Sequence, residues 1–150
     1  MSEALSFCPL TEVNLDAVLK IEYAAFSFPW NSKIFLSKLD KHQSWLMFKG
    51  TQQVGHGVMQ IIFDEAHLLN IAIKPENQGC GLGLALLEYL MSSAHASNVR
   101  ECFLEVRDSN TNALRLYERY GFNRIGYRHD YYPAIGGRED AVVMAYTIVD

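Results

Sequence analysis

The sequence predicts one mixed α/β domain over residues 1–150, a central twisted, mostly antiparallel sheet of about six or seven strands with about four helices. Three observations carry this expectation. Of the 150 residues, 49% are apolar, enough for one sizeable core. Strand patterns come first in succession and then alternate with helical ones, which fits a mixed sheet better than a doubly wound one. No internal repeat, low-complexity tract or Pro- and Ser-rich linker divides the chain.

The elements follow in order. "LSFCPL" (residues 5–10) reads as a short opening strand. Thr11 can cap a helix over residues 12–23, where Val13, Ala17, Ile21 and Ala24 lie roughly at helical spacing. "SFPW" breaks it, and Asn31 or Ser32 can cap a shorter helix to about residue 39. "WLMFKG" and "QVGHGVMQII" read as two strands of a hairpin turning at residues 50–53, and "AHLLNIAI" as a third strand ended by Pro75. A glycine-rich turn then opens a long helix from Gly81 to about Ala96. "CFLEV" is a short buried strand. "NTNALRLYERYGF" is a helix started by Asn110 or Thr111 and stopped by Gly121, which suits a C′ glycine. "NRIGYRH" and "AVVMAYTI" complete the sheet.

Composition narrows the function. A net charge of −4 gives no basic surface for direct nucleic-acid binding. The longest apolar runs are broken well short of the ~18 residues of a membrane span, and "MSEALSFCPLTE" lacks the basic start and apolar core of a signal peptide. Cys8, Cys80 and Cys102 are too scattered for a disulfide framework, and no His/Cys group has zinc spacing, so no metal is expected. A reduced, cytoplasmic protein is the resulting expectation.

The densest signal is "NIAIKPENQGCGLGLALLEYL" (residues 70–90), with Gly79, Gly81 and Gly83 at the mouth of a strong helix. Glycine costs a helix up to ~1 kcal/mol relative to alanine, so its placement here needs a reason. One reason is a tight turn with close helix–sheet packing. The other is an anion site: glycine permits positive φ and close backbone approach, and a helix N-terminus offers unpaired N–H groups and partial positive charge. Three glycines in five residues favour phosphate. A P-loop would need Gly-Lys-Ser/Thr, which Leu82-Gly83-Leu84 does not supply. The Gly-x-Gly-x-x-Gly dinucleotide fingerprint also fails, since Leu84 or Leu86 occupies its last position, although Glu101 and Glu105 fall near the ribose-acid offset.

"QGCGLG" resembles the Arg/Gln-x-x-Gly-x-Gly/Ala signature of the GNAT acyltransferase superfamily. "SFPW", "DEAHLLNIAIKPENQGCGLG", "LEVRDSNTNALRLYERYGF" and "YYPAIGGREDAVVMA" resemble its bacterial members that acetylate the N-terminal alanine of a small-subunit ribosomal protein. The resemblance covers nearly the whole chain. It implies a GNAT-like fold, acetyl-CoA as co-substrate and a ribosomal-protein N-terminus as acceptor. Residue by residue, it implies that Ile71, Ala72 and Ile73 face the pantetheine arm. Gly79, Cys80, Gly81, Leu82, Gly83 and Leu84 would hold the pyrophosphate, and Asn110 and Tyr117 would contact the cofactor. Glu105 matches the family's general base and Tyr117 its general acid. Gly79 and Leu84 stand where relatives often carry basic side chains, which leaves the phosphates mostly to backbone N–H groups.

The chemistry suits those residue types. Acetyl transfer needs an uncharged amine and a proton for the departing thiolate. A peptide α-amine has pKa ~8 against ~10.4 for lysine, so at neutral pH about a tenth of α-amines are free but fewer than about one lysine in a thousand. Strand alternation puts Phe103, Glu105 and Arg107 on one face, where Glu105 is either a base or the partner of Arg107 in an ion pair. Tyr117 falls in a helical stripe with Ala113, Leu116 and Tyr120, which also reads as core. Asn110 also reads as a plain N-cap. Cys80 has no histidine at suggestive spacing, and direct transfer needs no acyl-enzyme. His67 and His129 are candidate pocket groups; His42, His56 and His95 read as surface or packing.

"SFPW" and "DYYPAIGGRED" flank the acceptor groove on the family pattern, with loop packing as the other reading. Glu22, Asp64, Glu65, Glu139 and Asp140 are candidates to line a groove for a tail of a small first residue followed by basic ones. Acetylation of a small amine or of other protein N-termini is the alternative activity, and a non-catalytic acyl-CoA-binding module the alternative class.

Overall fold

The computed structural model describes residues 4–39 and 42–149. Along the chain lie β1 (Leu5–Pro9), α1 (Leu15–Ala25), α2 (Ser32–Lys38), β2 (Gln43–Lys49), β3 (Gln52–Ile62), β4 (Glu65–Ile73), α3 (Leu82–Ala96), β5 (Glu101–Arg107), α4 (Thr111–Tyr120), β6 (Asn123–Ala134) and β7 (Gly137–Thr147). The strands hydrogen-bond in the order β1-β2-β3-β4-β5-β7-β6. The β1–β2, β2–β3, β5–β7 and β6–β7 ladders are antiparallel, and β4–β5 is parallel. This is the expected mixed α/β sheet. Among the described residues no helix is long and apolar enough to cross a membrane.

Two boundaries differ from the sequence reading. Residues 12–14 form a 3-10 turn, so α1 begins at Leu15; the Thr11 hydroxyl donates to Asn14 Oδ1 at 2.8 Å rather than accepting from a first-turn N–H as an N-cap would. The second difference concerns "DYYPAIGGRED", which is mostly strand. β6 and β7 continue through it to a turn at Ile135 and Gly136. Pro133 is tolerated because β6 is an edge strand.

The chain divides into two compact units, Met1–Gln60 with Leu69–Ser93, and Ile61–Leu68 with Ala94–Asp150. In the first, α1 turns Val18, Ile21 and Glu22 inward, and Leu10, Val18, Phe35, Leu46 and Val58 form a buried cluster. α3 buries Leu82, Leu86, Leu87, Leu90 and Met91, so its start is fixed by apolar packing. In the second unit, β5 alternates as the sequence predicts. Cys102, Leu104 and Val106 are buried, and Phe103, Glu105 and Arg107 half-buried. Tyr117 and Tyr120 of α4 pack on Phe122, and Tyr120 and Phe122 pack on Tyr146 of β7.

Candidate active site

The glycine-rich turn is built from β4 onward. Pro75 starts a 3-10 turn over Pro75–Asn77, and Gln78 Nε2 donates to Ile73 O at 3.0 Å, tying the loop back to the strand. Gly79 and Gly81 have φ of +80° and +85°, in the left-handed region that other residues reach only at a cost. A Cβ added at either would meet nothing within 4 Å. The cradle is therefore open, and it is the backbone conformation rather than crowding by neighbours that calls for glycine here. Ala85 N donates to Gly81 O at 3.1 Å, the first bond of α3. The N–H groups of Leu82, Gly83 and Leu84 precede that bond and have no acceptor within the helix. Gly83 itself lies inside the helix. The exposed Cys80 thiol points back at the loop, 3.3 Å from Asn77 O. Ile71, Ala72 and Ile73 occupy the end of β4, past residue 68, where its ladder with β5 stops.

The second unit holds the titratable groups. Glu105 pairs in register with Val143 of β7, and its side chain is 18% exposed. Its Oε1 lies 3.5 Å from Arg128 Nε. Arg107 donates to Pro133 O at 2.7 Å and to Glu139 Oε1 at 3.1 Å, and stacks over Tyr132. Burial, helped by the phenol of Tyr132 and the thiol of Cys102, pushes the Tyr117 phenol above its ordinary value. It is a protonated group throughout the physiological range. Asn110 caps α4, its Oδ1 accepting from Ala113 N at 3.2 Å. Its side-chain NH2 is the part left to reach a ligand.

Of the acidic candidates, Glu139 is held by Ser109 and Arg107. Hydrogen bonds from Ser109 keep its carboxyl below the usual range. Asp140 accepts from Asp130 N at 2.9 Å and lies 3.0 Å from His129 Nδ1. Glu22 is 1% exposed and lies inside the first unit, so it lines no groove. Its carboxylate meets His56 Nε2 at 2.9 Å, Asn70 Nδ2 at 3.1 and 3.2 Å, and Trp30 N at 3.0 Å. Sequence reasoning missed this cluster, because nothing in the spacing of Glu22, His56 and Asn70 marks them as neighbours. It also gave Tyr132 no separate role. Burial raises that phenol to about 12, with Tyr131 and Glu105 adding to the shift. The doublet "YYP" was its only sequence signal.

The acetyltransferase (GNAT) family model matches residues 15–122, well over half of the chain. The chain belongs to the GNAT acetyltransferase family. Members of this family use acetyl-CoA, and an open, N–H-lined cradle at a helix mouth fits its pyrophosphate. The chain is 42% identical to the ribosomal protein bS18-alanine N-acetyltransferase of Escherichia coli K12 over 142 residues, 93% of this chain and 95% of that protein. It is 39% identical to the Haemophilus influenzae protein of the same name, over 88% of this chain and 91% of the relative. The crystal structure of the Escherichia coli ribosomal-protein-S18-alanine N-acetyltransferase superposes with a TM-score of 0.91 at 38% identity, covering 98% of this chain and 96% of that one.

Proposed function

We propose that this GNAT acetyltransferase transfers the acetyl group of acetyl-CoA to the N-terminal α-amine of a protein, the acceptor being the N-terminal alanine of a small-subunit ribosomal protein. The observation that carries the acceptor is the 42% identity, over nearly the full length of both chains, to an enzyme named for that reaction. On this reading residues 1–150 act as a single catalytic domain. Main-chain N–H groups of Gly79, Cys80, Gly81, Leu82, Gly83 and Leu84 hold the pyrophosphate, and the edge of Ile71, Ala72 and Ile73 holds the pantetheine arm. The NH2 of Asn110 and the hydroxyl of Tyr117 contact the cofactor. Bound acetyl-CoA supplies an activated thioester carbon.

Glu105 takes a proton from the acceptor ammonium, directly or through water. The freed amine attacks the carbonyl carbon, the N–C bond forms and the C–S bond breaks. Tyr117 Oη gives its proton to the departing sulfur. The second proton, shed by the nitrogen as it becomes an amide, restores the tyrosinate, while Glu105 returns its own proton to water. The 27–30 turn and the β6–β7 hairpin flank the acceptor.

The test is release of free CoA from acetyl-CoA with a panel of acceptors: peptides starting as the ribosomal protein does, lysine peptides and polyamines. Release with the alanine-starting peptide supports the reading. Release with a polyamine alone, or with no acceptor at all, overturns it. Glu105→Gln should lower kcat/KM by about 10²–10⁴-fold while calorimetric CoA affinity stays intact. Loss of CoA binding in that variant removes Glu105 from the role of base.

A further inference from the structure

We propose that Glu22, with His56 and Asn70, is a positioning residue that fixes the 27–30 turn against strand β4, and so sets where the acceptor amine sits relative to the thioester. This rests on the reading of that turn as part of the acceptor groove.

A carboxylate at 1% exposure is expensive, and apolar replacements of buried ionic groups are often neutral or stabilising, so stability alone is a poor reason for it. The geometry points elsewhere. Two main-chain N–H groups that bracket the turn end on this one residue: Phe26 N donates to Glu22 O at 3.1 Å, the last bond of α1, and Trp30 N donates to the Glu22 side chain, Oε2, at 3.0 Å. Pro29, between them, has no N–H to contribute. The same carboxylate accepts from Asn70 Nδ2, next to Ile71, and meets His56 Nε2 of β3. Trp30 then packs edge-on against Phe35 at 5.2 Å, and Phe35 against the His56 ring at 5.5 Å.

The contacts close a ring from turn to helix to sheet, all inside one unit. Trp30 N and Asn70 Nδ2 donate to its two oxygens, and His56 Nε2 lies within hydrogen-bond distance of one of them. His56 Nδ1 and Asn70 Oδ1 are buried without a partner among the described residues, so neither side chain is there for its own satisfaction. Their common feature is orientation toward Glu22. A turn that leaves α1 at Phe26 and is held at Trp30 by a carboxylate also bound to Asn70, next to Ile71, Ala72 and Ile73, keeps acceptor and cofactor in register.

Two readouts separate this inference from the activity it rests on. In Glu22→Leu, kcat/KM for the alanine-starting peptide should fall about ten- to a hundredfold, mostly through acceptor KM, while CoA Kd stays within about twofold. Glu22→Gln, which keeps one acceptor oxygen, should lie between and serves if the leucine variant does not fold. Independently of turnover, acrylamide quenching of Trp30 in a Trp45→Phe background should increase in both variants. Unchanged quenching and unchanged acceptor KM in a folded variant overturn the inference, as does acceptor KM moving in step with CoA Kd. If the unsubstituted protein turns over no alanine peptide but quenching still responds, the turn clamp stands, and it is the acceptor assignment that fails.

Discussion

Gly81→Ala separates the two reasons for a glycine at this helix mouth. At φ +85° an L-residue pays about 1–2 kcal/mol of backbone strain, and the added Cβ meets nothing within 4 Å, so no clash adds to it. For a chain of this size that lowers Tm by roughly 2–8 °C. Gly136 is the matched control, with φ +79° and equally open space, in the β6–β7 turn. Gly136→Ala should show the same Tm loss. The two variants part at CoA. If the Gly81 cradle holds a diphosphate, a methyl group there displaces it and weakens at least one charge-assisted N–H bond, worth about 1.5–3 kcal/mol. That is roughly a ten- to hundredfold rise in Kd by titration calorimetry for Gly81→Ala, with no change for Gly136→Ala. Equal CoA affinity in both variants would mean that the glycines serve the turn alone, and the phosphate argument would be wrong.

Two further outcomes follow from the second unit. Tyr117→Phe should lower kcat with little loss of acetyl-CoA affinity, since on the proposed mechanism it removes the proton donor and only one of several cofactor contacts; an unchanged kcat in steady-state kinetics takes the phenol out of the mechanism. Burial raises the Cys102 thiol from 9.0 to about 12. The folded state therefore keeps that proton where the unfolded chain loses it. The stabilisation is complete below pH 9.0 and is lost as pH rises toward about 12. Denaturant unfolding of Cys102→Ala should fall less steeply over that range than the parent, by up to about 1.4 kcal/mol per pH unit; parallel slopes would show that the thiol titrates normally.

What the sequence made legible is what leaves a local mark. Glycines with positive φ, an asparagine before a helix and an apolar alternation each appear in a window of a few residues. The cradle, the cap at Asn110 and the face of Glu105 were accordingly readable. The α1 start slipped because a 3-10 turn and an α-turn share the same apolar spacing at residues 12–14. "DYYPAIGGRED" looked like loop because Pro and two glycines signal turns, yet an edge strand tolerates the proline and the turn needs only Ile135 and Gly136. The Glu22 cluster was illegible for a different reason. Its members lie 34 and 48 positions apart, and only the sheet brings them together.

Burial of Tyr117, one of the two readings its helical stripe allowed, bears on the proton transfer proposed for it. In water a phenol near ~10 and a thiol near ~8.5 make protonation of a departing thiolate only mildly unfavourable. Desolvation raises the Tyr117 phenol further, which taken alone weakens it as an acid. The nearby Cys102 thiol is lifted by that same cause to about 12, and a departing sulfur would become a stronger base in the same way only if its own surroundings were as dry. The balance rests on the difference between two desolvations rather than on the phenol's own value. On the proposed role of Tyr117, exclusion of water from the leaving sulfur is thus what the mechanism requires of so weak an acid. A solvated tyrosine at position 117 would hold its proton less tightly but would face a hydrated thiolate with little need of it.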